Sequence, residues 1–247
     1  MQLQFLTKEI TMFRFTKRFA LIPLVFSAFL AHADDLSDMK AKLDAKFPNN
    51  KPTEVRHAPI EGLYEIDAGH NVAYTDKSAN YLIFGHVFDM SNQADLTQKR
   101  IDELSKIDFS KLPLDQAIKI VKGKGTYKFA VFSDPDCPYC KKLETSLQSL
   151  NDYTEYVFLF PIDGLHPGAT AKAESIWCAK NSAKAWKEAL VDGKNPEQKT
   201  CTNPVEKDHV LGTGFGVQGT PTLINSKGKT VPGAVEGQAL DDFLKAK

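Results

Sequence analysis

Residues 133–140, SDPDCPYC, decide the fold, because they join an apolar, strand-like run to a helix-like one. The run before them, at 127–133, is rich in aromatic and aliphatic residues. After them, leucines recur on one helical face through residues 141–150. We therefore predict a strand, a short turn and a helix that begins close to Cys137 and Cys140. Two cysteines in this C-x-x-C pattern can close a small, reducible disulfide ring.

The start of a helix stabilises a thiolate, because its unpaired N–H groups and positive dipole end lie there. We expect a lowered pKa for Cys137, as thiol–disulfide exchange near neutral pH requires. Pro138 suits the first helical turn, where its missing N–H costs nothing, and Tyr139 follows it. Cys140 falls one turn in, more enclosed, where it can attack a mixed disulfide formed on Cys137.

Four charged residues flank this pattern. Lys141 and Lys142 favour a thiolate on Cys137, whereas Asp134 and Asp136 oppose it. The sequence does not show whether these four charges together raise or lower the pKa of Cys137.

The C-x-x-C pattern also fits a zinc half-site or an inert structural ring. Zinc sites of this kind use two close cysteine pairs, and the other two cysteines, Cys178 and Cys201, lie 23 residues apart. Five histidines share no metal-ligand spacing, and we interpret them as surface or hydrogen-bonded core residues: His57, His70, His86, His166 and His209. We expect no metal ion and no other cofactor.

Cys178 lies in a helix-like stretch and Cys201 in a polar loop. A bond between them would stabilise the fold by roughly 3.4 kcal/mol in a chain-entropy model. We interpret the pair as a structural staple rather than a second active site.

A second signal is the segment 219–222, Gly-Thr-Pro-Thr, at the start of a predicted strand. A cis peptide bond before Pro221 would turn the backbone of Thr220 outward beside Cys137, where a substrate strand could hydrogen-bond to it. An ordinary turn is the alternative.

The composition is that of a globular protein. The chain of 247 residues has 31 basic and 31 acidic side chains, and 42% of its residues are hydrophobic. This excludes disorder and argues against a nucleic-acid-binding protein, which usually carries a basic excess. We expect no nucleic acid among its partners.

Residues 1–33 have the pattern of a signal peptide. Basic residues precede an apolar run at 19–30, and the small-x-small sequence 31–33, AHA, follows it. A buried helix or a membrane anchor is the alternative. Removal of this leader would place a slightly acidic protein outside the cytoplasm, where disulfides persist.

The rest of the chain divides into three parts. Residues 34–94 are predicted to form a small domain of one helix, at 36–47, and an antiparallel meander. Residues 95–112 are predicted to be a linker helix, and 113–247 a catalytic domain. The meander strands are expected at 63–66, 71–75 and 81–88, and an exposed edge at 81–88 would favour a homodimer. In the catalytic domain we expect strands at 117–121, 127–133, 156–160, 222–225 and 230–232, and helices at 141–150, 169–191 and 239–245.

The C-x-x-C pattern together with Thr220 and Pro221 resembles the thioredoxin superfamily. The stretches 132–143, 173–180 and 212–221 make 34–247 similar to the DsbC-like family of bacterial periplasmic disulfide isomerases. The resemblance implies an α+β/α/β chain: a small cystatin-like α+β dimerisation domain, a linker helix, and a thioredoxin-like domain with a helical insertion.

The resemblance also implies roles and partners. Cys137 would attack, Cys140 would resolve, Pro221 would be the cis-proline, and Cys178 and Cys201 would form the staple. The implied protein is a V-shaped periplasmic homodimer with chaperone activity that acts on misfolded exported proteins. A DsbD-like membrane reductase would keep its active-site pair reduced.

One residue departs from the family pattern. The best-known isomerases have glycine after the first cysteine, whereas Pro138 resembles the sister, DsbG-like family. The alternative function is therefore a DsbG-like reductase and chaperone that protects single oxidised cysteines. The pair Cys178 and Cys201 favours the isomerase, because the sister family generally lacks it.

Overall fold

The computed structural model describes residues 27–246, with side chains from residue 35 onward. The predicted leader, 1–33, lies outside the described residues except for 27–33, whose backbone belongs to the first helix. The helices are α1 Ser27–Lys46, α2 Leu96–Leu104, α3 Pro138–Leu147, α4 Ala169–Trp177, α5 Ser182–Leu190, α6 Val205–Gly214 and α7 Gly237–Lys245. The strands are β1 Glu54–His57, β2 Leu63–Ala68, β3 Asn71–Asp76, β4 Leu82–Ile83, β5 Phe88–Asp89, β6 Ala94–Asp95, β7 Ile118–Lys122, β8 Lys128–Ser133, β9 Tyr153–Leu159, β10 Thr222–Asn225 and β11 Thr230–Pro232.

The N-terminal part is a four-stranded antiparallel sheet, in the order β1-β2-β3-β4, packed against α1. Met39 and Leu43 are fully buried, because their four-residue spacing puts them on the helix face that meets the sheet. Val55 and Ile66 complete that small core. The two central strands agree with the prediction. Helix α1 ends within one residue of the predicted end but begins nine residues before the predicted start at 36. Strand β1 was missed because its four residues, EVRH, carry little apolar pattern.

The predicted strand at 81–88 is wrong as a single strand. Only β4 pairs with β3, and Phe88 belongs to a separate two-stranded sheet with β6. The chain turns away at Gly85, whose φ of +154° suits only glycine. The backbone of Val87 then bonds to the start of α2, through Thr97 Oγ1 at 2.9 Å and the Leu96 N–H at 2.9 Å.

The linker helix is shorter than the predicted 95–112. Asp95 caps the start of α2 by accepting from the Gln98 N–H at 2.9 Å, and the helix ends at Leu104. Beyond it, Ile107 and Leu112 are buried in the core of the catalytic domain. The helix is attached to the N-terminal sheet, since Arg100 forms salt bridges with Asp67 and Glu54.

The catalytic domain is a five-stranded sheet in the order β11-β10-β8-β9-β7, with β8 parallel to β9 and the other pairs antiparallel. Alternate side chains of the strands enter two cores, one on each face. One core packs on α3, α4, α5 and α7, and the other on the end of α6 and the segment after the linker. This confirms the thioredoxin-like fold class with its helical insertion.

The insertion differs in detail from the prediction. The expected helix at 169–191 is two helices, because Asn181 starts α5 as an N-cap and accepts from the Lys184 N–H at 2.9 Å. Helix α6 was not predicted. Helix α3 begins at Pro138, which confirms a helix start at the C-x-x-C pattern, and ends at Leu147, three residues before the expected 150.

Candidate active site

Cys137 lies between the end of β8 and the first turn of α3. It is the N-cap residue of α3, and Pro138 is the first helical residue. The Cys137 residue is 4% exposed and Cys140 is fully buried, and the two thiols are not bonded to each other. Pro138 and Tyr139 are exposed between them. The turn therefore shows two side chains to solvent and holds both sulfur atoms beneath them.

The two thiols have opposite acidities. The Cys140 thiol and the N–H groups of Cys140 and Tyr139 lower the pKa of Cys137 to about 5 against its burial. Burial raises the pKa of Cys140 far above its usual range, and its hydrogen bond to Cys137 adds to the shift. Cys137 is therefore the thiolate at neutral pH and Cys140 the protonated thiol.

The flanking charges are mostly paired with other residues. Lys142 bonds to Glu236 at 2.6 Å and Asp136 to Lys172 at 2.7 Å. The groups that lower the pKa of Cys137 are the first turn of α3 and the Cys140 thiol.

The segment 219–222 lies against the first cysteine. The peptide bond between Thr220 and Pro221 is cis, as predicted, and the Thr220 carbonyl oxygen lies 3.3 Å from Cys137 Sγ, from which it accepts when Cys137 is protonated. The backbone of Thr220 therefore lies beside the first cysteine. Thr220 Oγ1 is buried and has no hydrogen-bond partner among the described residues.

The other two cysteines are joined. The disulfide between Cys178 and Cys201 connects the end of α4 to the segment before α6, with the two Cα atoms 5.7 Å apart. It cross-links two segments of the helical insertion.

Two family models match this chain. Residues 30–98 match the disulfide bond isomerase protein N-terminal domain, and residues 114–247 match a thioredoxin-like domain. A probable thiol:disulfide interchange protein DsbC from Bordetella parapertussis is 38% identical over 206 residues, which are 83% of this chain and 73% of that protein.

The chain belongs to the DsbC family of thiol:disulfide interchange proteins. It is therefore an enzyme, a thiol–disulfide oxidoreductase of the disulfide isomerase type.

Two further relatives agree with this membership. The thiol:disulfide interchange protein DsbC of Escherichia coli is 28% identical over 235 residues, 92% of this chain and 95% of that one. The crystal structure of a disulfide interchange protein from Neisseria gonorrhoeae is 45% identical, with a TM-score of 0.53; the match covers 54% of this chain and 96% of that one.

This DsbC-family chain has a cluster beside the cysteines that sequence reasoning missed. Asp134 is fully buried, and its Oδ2 atom lies 2.9 Å from His166 Nδ1 and 2.8 Å from the Ile162 N–H. We had interpreted His166 as an ordinary surface or core histidine. The signal was the parallel pairing of β8 and β9, since residues that follow two such strands meet at one edge of the sheet.

Two large apolar side chains are exposed in the same region of the chain. Tyr139 is 62% exposed, and Leu165, in the loop that carries His166, is 70% exposed. Within residues 35–246, no group of three or more His, Cys, Asp or Glu side chains is arranged to hold a metal ion. Among the helices the structure describes, none is long and apolar enough to cross a membrane.

Proposed function

We propose that this DsbC-family chain is a periplasmic protein disulfide isomerase that reshuffles or reduces incorrect disulfides in exported proteins, with Cys137 as its nucleophile. The observation that carries the proposal is the pKa of Cys137, lowered to about 5 beside a buried, protonated Cys140. A thiolate at neutral pH is the form that attacks disulfides.

The first step is attack by the Cys137 thiolate on one sulfur of a wrong disulfide. A bond forms between Cys137 and that sulfur, and the other substrate sulfur leaves as a thiolate. A second substrate thiolate then attacks the substrate sulfur of the mixed disulfide. This forms a new substrate disulfide and returns Cys137 as a thiolate, so the exchange consumes no electrons.

The second route ends in reduction. Cys140 loses its proton and attacks Cys137 Sγ, which releases the substrate as a thiolate and leaves a disulfide between Cys137 and Cys140. Two electrons from a DsbD-like membrane reductase restore the two thiols. Because Cys140 is buried and its pKa is raised, this route is expected to be the slower one.

Substrate contacts are proposed around the same turn. Pro138, Tyr139, Thr220 and Pro221 border Cys137, and an extended substrate can pair with the backbone at 219–222. The exposed side chains of Tyr139 and Leu165 supply apolar surface for unfolded segments of a substrate, which supports chaperone activity.

A homodimer is proposed through the edge of the N-terminal sheet. Strand β4 is the last strand of that sheet, so one side of its backbone has no strand partner within the described chain. The four residues at this edge are large and exposed; they are Tyr81 (72%), Leu82 (41%), Ile83 (47%) and Phe84 (77%). A second copy that pairs here would cover them.

Periplasmic location is proposed from the predicted leader and the cysteine use. A disulfide between Cys178 and Cys201 persists only in an oxidising compartment. N-terminal sequencing of protein from a periplasmic extract is expected to begin at Asp34.

The test of the isomerase is reactivation of a scrambled enzyme with several disulfides. The wild type is expected to restore its activity in a glutathione buffer, and Cys137→Ser is expected to lose this effect, because serine cannot form the mixed disulfide. Cys178→Ala/Cys201→Ala is the matched control, which removes two cysteines but keeps the C-x-x-C pair. Equal reactivation by Cys137→Ser and wild type would contradict the proposal.

The second candidate is a DsbG-like reductase and chaperone, which Pro138 favours. A protein with one sulfenylated cysteine separates the two functions when it is assayed beside the scrambled enzyme. Reduction of the first substrate without reactivation of the second would assign the reductase. A Cys137→Ser/Cys140→Ser variant that still suppresses aggregation of a cysteine-free protein would assign chaperone activity.

A further inference from the structure

Asp134 connects the two active-site cysteines to a loop on the neighbouring strand. Its backbone carbonyl accepts from the Cys137 N–H at 3.2 Å, and its own N–H lies 3.5 Å from Cys140 Sγ. Its side chain accepts from the Asp136 N–H at Oδ1 and from Ile162 N–H and His166 at Oδ2. The buried carboxylate is therefore fixed, and its negative charge stays close to Cys137.

The two aspartates before Cys137 have different counter-ions. Asp136 is paired with Lys172, whose positive charge is permanent at physiological pH. Asp134 is paired with His166, an imidazole whose positive charge depends on its protonation. Only one of the two carboxylates can lose its compensating charge.

We propose that His166 is a positioning residue whose positive charge, acting through the buried carboxylate of Asp134, stabilises the thiolate form of Cys137. The inference rests on the role proposed above for Cys137. When His166 loses its proton, the charge of Asp134 is no longer balanced and opposes the thiolate. The stability of the thiolate then depends on the protonation of a side chain in another loop.

The charges that face His166 support this coupling. The hydrogen bond from His166 to Asp134 raises the pKa of His166 against its partial burial, and the negative charges of Asp134, Cys137 and Asp136 add to the rise. Lys172, on α4, adds a positive charge to this cluster through its salt bridge with Asp136. Since coupling between two titrating groups is reciprocal, the charge on His166 must favour the Cys137 thiolate as much as that thiolate favours protonated His166.

The first test is an NMR titration of the His166 ring in the wild-type protein. With the cysteines reduced, Cys137 carries a negative charge; with the disulfide formed, it carries none. The titration midpoint of His166 is expected to fall when the disulfide forms. An identical midpoint in both states would overturn the proposal, and neither outcome depends on isomerase activity.

The second test is the titration of the Cys137 thiolate by its ultraviolet absorbance. His166→Asn keeps a neutral donor for Asp134, and its thiolate midpoint is expected to rise by about one pH unit, about tenfold less thiolate at a given pH below it. His166→Lys restores a permanent charge and is expected to keep the wild-type midpoint or a lower one. A wild-type midpoint in His166→Asn, or the same rise in both variants, would overturn the proposal.

His209→Asn is the matched control. His209 is an exposed histidine that stacks on Phe160, with the ring centres 4.4 Å apart, and bonds to neither aspartate. Its removal is expected to leave the Cys137 midpoint unchanged. A rise equal to that in His166→Asn would show a general effect of histidine loss and would count against the proposal.

Discussion

At the residue scale, Cys137 and Cys140 differ in acidity although one helical turn holds both. Cys137 occupies the N-cap, where the N–H groups of the first turn point at its sulfur, and Cys140 lies inside the helix against the core. The same turn therefore makes one thiolate and one protonated thiol. The proposed division into an attacking and a resolving cysteine follows from the spacing of the two residues along α3.

The acidity of Cys137 predicts its reaction with iodoacetamide. Because its pKa is lowered to about 5, the fraction of thiolate rises through that pH and is complete at neutral pH. Alkylation of the reduced protein is expected to be half-maximal near pH 5 and to modify Cys137 alone, as read by peptide mass mapping. A rate that still rises steeply between pH 7 and about 9, or modification of Cys140 first, would contradict this.

The sequence predicts the cysteines but not the pairing of Asp134 with His166. Cys137, Cys140 and the 219–222 segment are recognisable because local patterns mark them. Asp134 and His166 are 32 residues apart, and only the register of β8 on β9 brings them together. A pattern within one strand or helix cannot contain that information.

At the element scale, most strands of the catalytic sheet were predictable, whereas the edge of the N-terminal sheet was not. Strands β8, β10 and β11 lie within one residue of their expected bounds, and β9 begins three residues before the expected 156. The region 81–88 has the composition of a strand. The strand stops before Val87 because the backbone of Val87 forms hydrogen bonds with the start of α2, and no local sequence pattern shows these bonds. Tertiary hydrogen bonds therefore set the bounds of the short strands.

Helix α6 carries a buried acid that gives a pH-dependent stability. Asp208 accepts from the Leu159 N–H at 3.0 Å, and burial raises its pKa to about 8. Between its unfolded pKa near 4 and about 8, only the unfolded state is ionised, so stability falls as pH rises. The free energy of unfolding should drop by up to about 1.4 kcal/mol per pH unit in this window.

Urea unfolding of Asp208→Asn at several pH values checks this. The variant is expected to lose up to about 1.4 kcal/mol per pH unit of the slope, because its amide does not ionise. The slope that remains comes from other buried acids whose pKa values are also raised by burial, such as Glu144 and Glu155. Glu206→Gln, which removes an exposed carboxylate from the same helix, is expected to keep the wild-type slope. A slope in Asp208→Asn equal to that of the wild type would be evidence against a raised pKa.

The disulfide that joins α4 to the start of α6 is expected to stabilise the insertion. Replacing both cysteines, Cys178→Ala/Cys201→Ala, should lower the free energy of unfolding by roughly 3 kcal/mol, since the closed loop spans 23 residues. Below its unfolding transition the variant should retain reactivation activity. Stability equal to the wild type in urea titration would show that the bond contributes little.

At the scale of the whole molecule, the proposed dimerisation surface and the active-site cysteines lie in different domains of the chain. The N-terminal sheet ends in an apolar edge, and the catalytic sheet carries the cysteines at the carboxyl ends of β8 and β9. The connection between them is short, and Ile107 donates to the Gly228 carbonyl at 3.0 Å as it enters the catalytic domain. A dimer through the N-terminal edges would bring two catalytic sites into one assembly.

Analytical sedimentation tests whether the chain dimerises through the edge of the N-terminal sheet. The wild type is expected to sediment as a dimer at micromolar concentration, and Phe84→Asp as a monomer, because a carboxylate cannot be buried without a partner. Val210→Asp changes an apolar residue of similar exposure, 63%, on α6 and is expected to remain dimeric. A monomeric wild type, or a Phe84→Asp variant that stays dimeric, would rule out this interface.

The most direct test of the central role of Cys137 is capture of its mixed disulfide. Cys140→Ala lacks the resolving thiol, so a complex with a scrambled substrate should accumulate. Peptide mass mapping is predicted to find the substrate cysteine bonded to Cys137, and the complex should disappear on reduction. A substrate adduct at any other residue, or no adduct with Cys140→Ala under conditions in which the wild type reactivates the substrate, would contradict the account.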